Sequence, residues 1–285
     1  MTTEVLCHWE GVDVSLGDVL GATERLRLRQ ARTATRASVI NLVVVVHREE
    51  AARRAKSTLD RLGAHHPGRT VVIVASDGAP SRIDASVELS EDKAGTSPVW
   101  WETVVLDVGG PVVDHLDSLV DPLLLHDLRT VAWYPDAIPA VQGVPTSVHS
   151  VILGPEGGPS AAAALAAGRV VADTAWLACE PQRRALASAY RGPGVASVKA
   201  GGPGRTPALL AGWVCERLGL PAEAASLEPG PGPHIEVVLG DGRVEAGVAD
   251  TGAVHADAAV AAALGSWGRD GRYDAAVGFA ARAGW

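Results

Sequence analysis

The chain has 285 residues, 47% hydrophobic and 20% charged, with 25 Lys and Arg against 33 Asp and Glu for a formal charge of −8. That length suits two domains of ordinary size, each with its own core. The acidic balance argues against nucleic acid or an anionic membrane surface as the main partner.

Lysine is confined to Lys56, Lys93 and Lys199, and no GxxxxGK[ST] run is present, so Schiff-base and P-loop chemistry have little to work with. Cys7, Cys179 and Cys215 are far apart and odd in number, which disfavours a disulfide framework or a structural zinc. The start carries Glu4, Glu10 and Asp13 where a secretory signal would be basic and then apolar. No apolar run reaches the ~18–20 residues that span a bilayer. The expected location is therefore the cytoplasm.

In chain order, "SVINLVVVV" (38–46) is a continuous β-branched run of the kind a strand buried on both faces shows. The segment after it places Ala51, Ala55, Leu59 and Leu62 at helical spacing, with Gly63 as a stop. Strands are expected at 69–76 and 98–108. A helix is expected over 110–122, with Pro111 in its first turn and Val112, Leu116, Leu119 and Val120 on one face. "LRTVAWY" (128–134) and 147–154 complete a first half in which strands alternate with helices, so an α/β layer with a mostly parallel sheet is expected.

A Gly/Pro hinge at 154–168 runs into an alanine-rich helix, and the boundary is set there: an N-terminal α/β domain over 1–157 and a C-terminal α/β domain over 158–285. In the second half Thr206 and Pro207 open a helix with Leu210, Trp213, Val214 and Leu218 as its stripe. Gly219 and Pro221 stop it. "SLEPGPGPH" (226–234) looks like an exposed linker, and 234–248 is a β-hairpin with Asp241 and Gly242 at its turn. Two alanine-rich helices, parted near Gly268–Gly271, close the chain.

Candidate chemistry is sparse. Asp114, Asp117 and Asp121 share a helical face with Ser118, which suits either a divalent cation or plain solvation. His115 lies among these acids but has no nucleophile to serve. His65 and His66 are adjacent on a loop, which is not a metal spacing. Ser81 and Arg82 follow the strand at 69–76, on the side where open α/β sheets bind ligands, and could grip a phosphate or carboxylate. Arg82 could equally pair with Asp77 or Asp84. No GxSxG or HExxH spacing occurs, and no cofactor or metal is implied. Of the eight tryptophans, Trp100 and Trp101 are consecutive in a strand, so one of them could leave the core. Trp133 and Tyr134 sit where a strand ends, framed by Asp127, Arg129 and Asp136, with His126 just ahead. That is the composition of an interface anchor, set against ordinary core packing.

The block 111–139 is specific: His-x-x-Ser-x-x-x-Pro-Leu-Leu-Leu-x-Asp-Leu runs into Trp-Tyr-Pro. With "TRASVINLVVVV", "HHPGRTVVIVASDGAPSRIDASVEL", "LLAGWVCERLGL" and the Asp-x-Ala-Trp pattern of "DTAWLACEPQRRALASAY" (173–190), it resembles the OpcA family of glucose-6-phosphate dehydrogenase assembly proteins over about 33–219. The connection ahead of Asp173 is shorter than the family's usual one. The resemblance implies an α/β protein without catalytic activity that binds glucose-6-phosphate dehydrogenase and promotes its assembly or activation in the oxidative pentose phosphate pathway.

The partner surface expected from residues and resemblance together comprises His126, Asp127, Trp133, Tyr134 and Asp136. Two alternatives stand beside it: a sensor of sugar phosphates or other anions at Ser81 and Arg82, and a divergent hydrolase using Asp114, His115 and Asp117.

Overall fold

A computed structural model describes residues 3–30, 38–62, 68–76, 80–92, 99–190, 194–242, 244–248, 256–265 and 268–285. The chain divides into two compact units, Met1–Val151 and Ile152–Trp285. The fold class is the α/β one expected.

The first unit opens with β1 (Thr3–Gly11) and α1 (Leu16–Gln30), followed by β2 (Ile40–Val46), α2 (Glu49–Leu62) and β3 (Gly68–Ser76). Next come β4 (Ile83–Asp92), β5 (Val99–Gly109), α3 (Leu116–Val120), β6 (Thr130–Tyr134) and β7 (Ser150–Leu153), which reaches the unit boundary. The strands lie side by side in the order β1-β4-β5-β3-β2-β6-β7. Its centre is parallel, β5 with β3, β3 with β2, and β2 with β6. β4 and β1 add an antiparallel flank.

All seven residues of β2 are buried, as its unbroken valine run demands. α2 turns Ala51, Ala55, Leu59 and Leu62 inward, the stripe its spacing predicts. Trp100 and Trp101 are both buried, so neither leaves the core: β5 is an inner strand, covered on both faces at that level.

The segment 110–123 departs from the single helix expected. It is a 3-10 turn (Gly110–His115), the five-residue α3, and a second 3-10 turn (Asp121–Leu123). Pro122 has no N–H to give to a continuing α-helical ladder, which shortens the helix where the sequence pattern suggested it would run on.

The second unit contains α4 (Pro159–Gly168), β8 (Val170–Asp173), α5 (Thr174–Ala178), α6 (Glu180–Ala189) and β9 (Val195–Gly202). α7 (Thr206–Leu218), β10 (Ala225–Pro229), β11 (His234–Leu239), β12 (Val244–Val248), α8 (Ala256–Gly265) and α9 (Gly271–Arg282) follow. Its four-stranded sheet has the order β10-β9-β11-β12. β9 and β10 are parallel and joined through α7, while β11 and β12 form the expected antiparallel hairpin. Gly242 takes φ +82 at that turn, a conformation that suits glycine.

Half of the linker expected at 226–234 is strand instead, because residues 225–229 pair in register with 198–202 of β9. α7 begins at Thr206 without a side-chain cap and ends at Gly219 in the left-handed conformation, so its expected stop holds and its expected cap does not. Leu210, Val214 and Cys215 of α7 pack with Val198, Ala200, Ile235 and Val237 of the sheet to make this unit's core.

Candidate partner-binding site

Four polar residues form one row across the parallel centre of the first sheet. Register pairs Thr130 of β6 with Asn41 of β2, Asn41 with Arg69 of β3, and Arg69 with Glu102 of β5. All four are buried, none more than 3% exposed. Buried polar groups need partners, and these residues supply them to one another and to the chain that passes them.

Glu102 accepts from Arg69 Nε (3.1 Å) and Nη2 (3.0 Å), and from Arg27 of α1 through Nε (2.8 Å) and Nη2 (2.6 Å). Arg69 Nη1 also donates to the Leu123 carbonyl. Asn41 Nδ2 donates to the Leu125 carbonyl at 2.9 Å, and Asn41 Oδ1 accepts the Leu125 N–H at 2.9 Å. The irregular segment 121–129, the centre of the specific sequence block, is thus strapped to the amino ends of the parallel strands. Asp127 takes φ +64, a left-handed turn in which aspartate is among the tolerated residues. His126 and Asp127 are exposed at the crest of this strap.

Two of the three helical acids fix the strap's approach. Asp117 Oδ1 accepts the Thr146 N–H at 2.7 Å, and Asp121 Oδ1 accepts the Ser147 hydroxyl at 2.6 Å. Asp114, His115, Asp117 and Asp121 are all exposed, and Asp117 and Asp121 lie on the approach to the strap, whose crest carries Asp127. Among the described residues no group of three or more His, Cys, Asp and Glu is arranged to hold a metal ion.

The other predicted partner residues lie at the opposite end of β6. A strand of five residues is about 16 Å long at ~3.3 Å per residue, so His126 and Asp127 are separated by that length from Asp136. Trp133 and Tyr134 are not surface anchors: they are 5% and 1% exposed, because β6 is flanked by β2 and β7 and covered on both faces. The five residues therefore do not make one surface.

At that carboxyl end Asp136 instead meets the chain leaving β2. Its Oδ2 accepts the His47 N–H at 3.1 Å and lies 3.5 Å from Arg48 Nε, and its Oδ1 lies 3.5 Å from His47 Nδ1. Arg82 sits near the same rim, its carbonyl accepting from Gly109 at the end of β5. Its guanidinium is ion-paired with Asp84 at 3.2 Å, one of the two pairings the sequence allowed. Ser81 is exposed beside it. His65 and His66 lie outside the described residues.

The Asp-x-Ala-Trp pattern has a structural use within the second unit. Asp173 Oδ1 caps α5 through the N–H groups of Ala175 (2.8 Å) and Trp176 (3.3 Å). Its Oδ2 takes Arg205 Nε (2.7 Å) and the Tyr273 hydroxyl (3.1 Å). Arg205 also donates to the carbonyls of Gly154 (2.5 Å) and Glu156. Burial, reinforced by the Asp173 charge, holds the Tyr273 hydroxyl well above its usual pKa. Trp176 Nε1 donates to Asp270 Oδ2 at 2.8 Å, and Arg183 stacks 3.4 Å above the Trp176 ring. These contacts join β8, α5, α6, the start of α7 and α9.

Asn41, Arg69 and Glu102 escaped the sequence reading, though each left a signal. A polar side chain inside a valine-rich strand, as in "SVINLVVVV" or "VWWETVV", must find a buried partner.

Residues 59–146 match the family model described as the glucose-6-phosphate dehydrogenase subunit N-terminal domain. No curated protein and no solved structure matches the chain. The matched stretch runs from the end of α2 to the loop before β7, and contains Arg69, Glu102 and the whole strap. The resemblance that residues 111–139 carry is therefore found by an independent comparison: over 59–146 the chain is similar to the OpcA family of glucose-6-phosphate dehydrogenase assembly proteins.

Proposed function

We propose that the protein is a non-catalytic partner of glucose-6-phosphate dehydrogenase that promotes the enzyme's assembly or activation in the oxidative pentose phosphate pathway. The observation that carries this reading is the family match over 59–146, which contains a strap that buried polar residues hold in place. A segment tied down at Leu123 and Leu125 presents His126 and Asp127 at little ordering cost on binding, which favours affinity. The docking face is the strap with its acids, Asp117, Asp121 and Asp127. Their charge suits a basic patch on the dehydrogenase and steers the encounter.

A non-catalytic role is supported by the use of the charged groups. The arginines and carboxylates of the polar row and of the Asp173 cluster are committed to structural contacts. The test is a titration of this protein into the host's own glucose-6-phosphate dehydrogenase, following NADPH production and co-elution. A saturable change in activity at fixed stoichiometry supports the proposal. A flat titration without co-elution overturns it.

A further inference from the structure

The carboxyl rim of the first sheet holds a feature that strap docking does not use. In the order β5-β3-β2-β6, the chain leaves β2 toward β3 on one side, and β6 returns on the other. β2 and β6 are parallel neighbours, so their carboxyl ends flank a topological switch point, the place where open α/β sheets bind small ligands. The residues immediately beyond those ends are His47 and Arg48 after β2, and Pro135 and Asp136 after β6.

Two buried polar atoms at this end of β6 have no hydrogen-bond partner. One is Asp136 Oδ1, on a side chain only 2% exposed, and the other is the indole Nε1 of Trp133. An unmet buried polar group is costly, and native structures explain such groups by water, an ion or a ligand. The two atoms are complementary: a carboxylate oxygen that makes no hydrogen bond, its neighbour His47 Nδ1 lying 3.5 Å away, and an N–H that needs an acceptor. A hydroxyl group satisfies either. Beside them Arg48 is 60% exposed and touches Asp136 only through Nε, at 3.5 Å. The carboxylates of Glu49 and Glu50 are occupied by Arg53 (2.6 Å) and Arg54 (2.5 Å).

We infer that the switch point between β2 and β6 is a binding site for a small hydroxylated anion of the phosphorylated-sugar class. Asp136 Oδ1 and Trp133 Nε1 meet its hydroxyls, and Arg48, with His47, meets its anionic group. The site is separate from the strap, and the inference does not depend on the dehydrogenase as partner. It would make the protein responsive to a metabolite.

The test is calorimetric titration of the full chain, without dehydrogenase, using glucose 6-phosphate, glucose and inorganic phosphate as separate probes. Glucose 6-phosphate is expected to bind at least tenfold more tightly than either single-feature probe. Arg48→Ala, a surface change that leaves the core intact, is expected to weaken it at least tenfold. Asp136→Asn, which keeps an acceptor for the His47 N–H, is expected to weaken it as well, and a thermal melt of each variant reports that it has folded. No heat with glucose 6-phosphate overturns the site. Inorganic phosphate binding as tightly as the sugar phosphate overturns the hydroxyl assignment, and unchanged binding by Arg48→Ala overturns the role of the cation.

Discussion

Asn41 and Leu125 are bound to each other twice. The side-chain amide of Asn41 donates to the Leu125 carbonyl and accepts the Leu125 N–H, both at 2.9 Å across 84 residues of sequence. An asparagine inside a fully buried strand thereby imitates a strand partner for a segment that has no regular structure of its own. The strap is positioned by the sheet.

Asn41→Ala removes both hydrogen bonds and leaves the part-buried peptide groups of Leu125 without their side-chain partner. A loss of about 2–3 kcal/mol of stability is expected, each bond contributing about 1 kcal/mol with a further term for the unmet groups. Urea unfolding monitored by tryptophan fluorescence measures it. A loss below about 0.5 kcal/mol would mean that the strap is held by other contacts.

Glu102 holds two arginines, Arg27 and Arg69, and neutralising it strands the buried guanidinium of Arg69. Glu102→Gln is expected to destabilise by about 3–5 kcal/mol, the range for breaking a buried ion pair from one side. Combining Glu102→Gln with Arg69→Met is expected to recover part of that loss, since the unpaired charge is then gone. A double-mutant cycle reads this coupling directly. Strictly additive losses would contradict it.

The second unit carries a pH dependence through Asp270. Burial acts to raise its pKa, but hydrogen bonds from the Trp176 indole and from the N–H groups of Arg272 and Tyr273, with the Arg272 charge, hold it below the ordinary carboxylate value. A depressed folded-state pKa means stability that is fully present above the unfolded value and lost as the pH falls through the folded one. The melting temperature is therefore expected to drop below about pH 4. Asp270→Asn is expected to shrink that drop while lowering the plateau near neutral pH. An unchanged acid limb in the variant would assign the effect to other carboxylates.

The three cysteines separate by reactivity. Burial pushes the Cys179 thiol up to about 12 and the Cys215 thiol up to about 11, whereas Cys7 on β1 is partly exposed. The thiolate is the reacting form, so at pH 8 a thiol reagent is expected to modify one cysteine quickly, with the other two reacting only in denaturant. Rapid modification of all three in the native protein would contradict the packing of the second unit.

Legibility in the sequence followed how much burial each element shows by itself. β2 and α2 were evident because an unbroken valine run and an i, i+4 alanine–leucine stripe each have one good solution. β4 and α1 were passed over although they carry the same kinds of signal. Ala85, Val87 and Leu89 alternate into the core, and Val19, Ala22 and Leu26 are buried at helical spacing. Their polar partners, Asp84 and Glu88 or Glu24 and Arg25, obscured the pattern.

The site was half legible. The specific block 111–139 locates the strap, but the sequence leaves Trp133 and Tyr134 open between interface anchor and core packing, with Pro135 ending the strand beside Tyr134. Burial of a strand end depends on its neighbours in the sheet, and the sequence does not display that β2 and β7 flank β6. The grouping of Asn41, Arg69 and Glu102 depends on register between strands far apart in the chain, which local periodicity does not contain.

The most direct test of the strap as the docking face is hydrogen exchange of this protein with and without the host's glucose-6-phosphate dehydrogenase. Slowed exchange is expected across 121–129, with the core strands unchanged. Asp127→Arg is expected to abolish that protection and to leave the melting temperature within a few degrees. Protection confined to other segments, or binding by Asp127→Arg as tight as by the parent protein, would contradict the account.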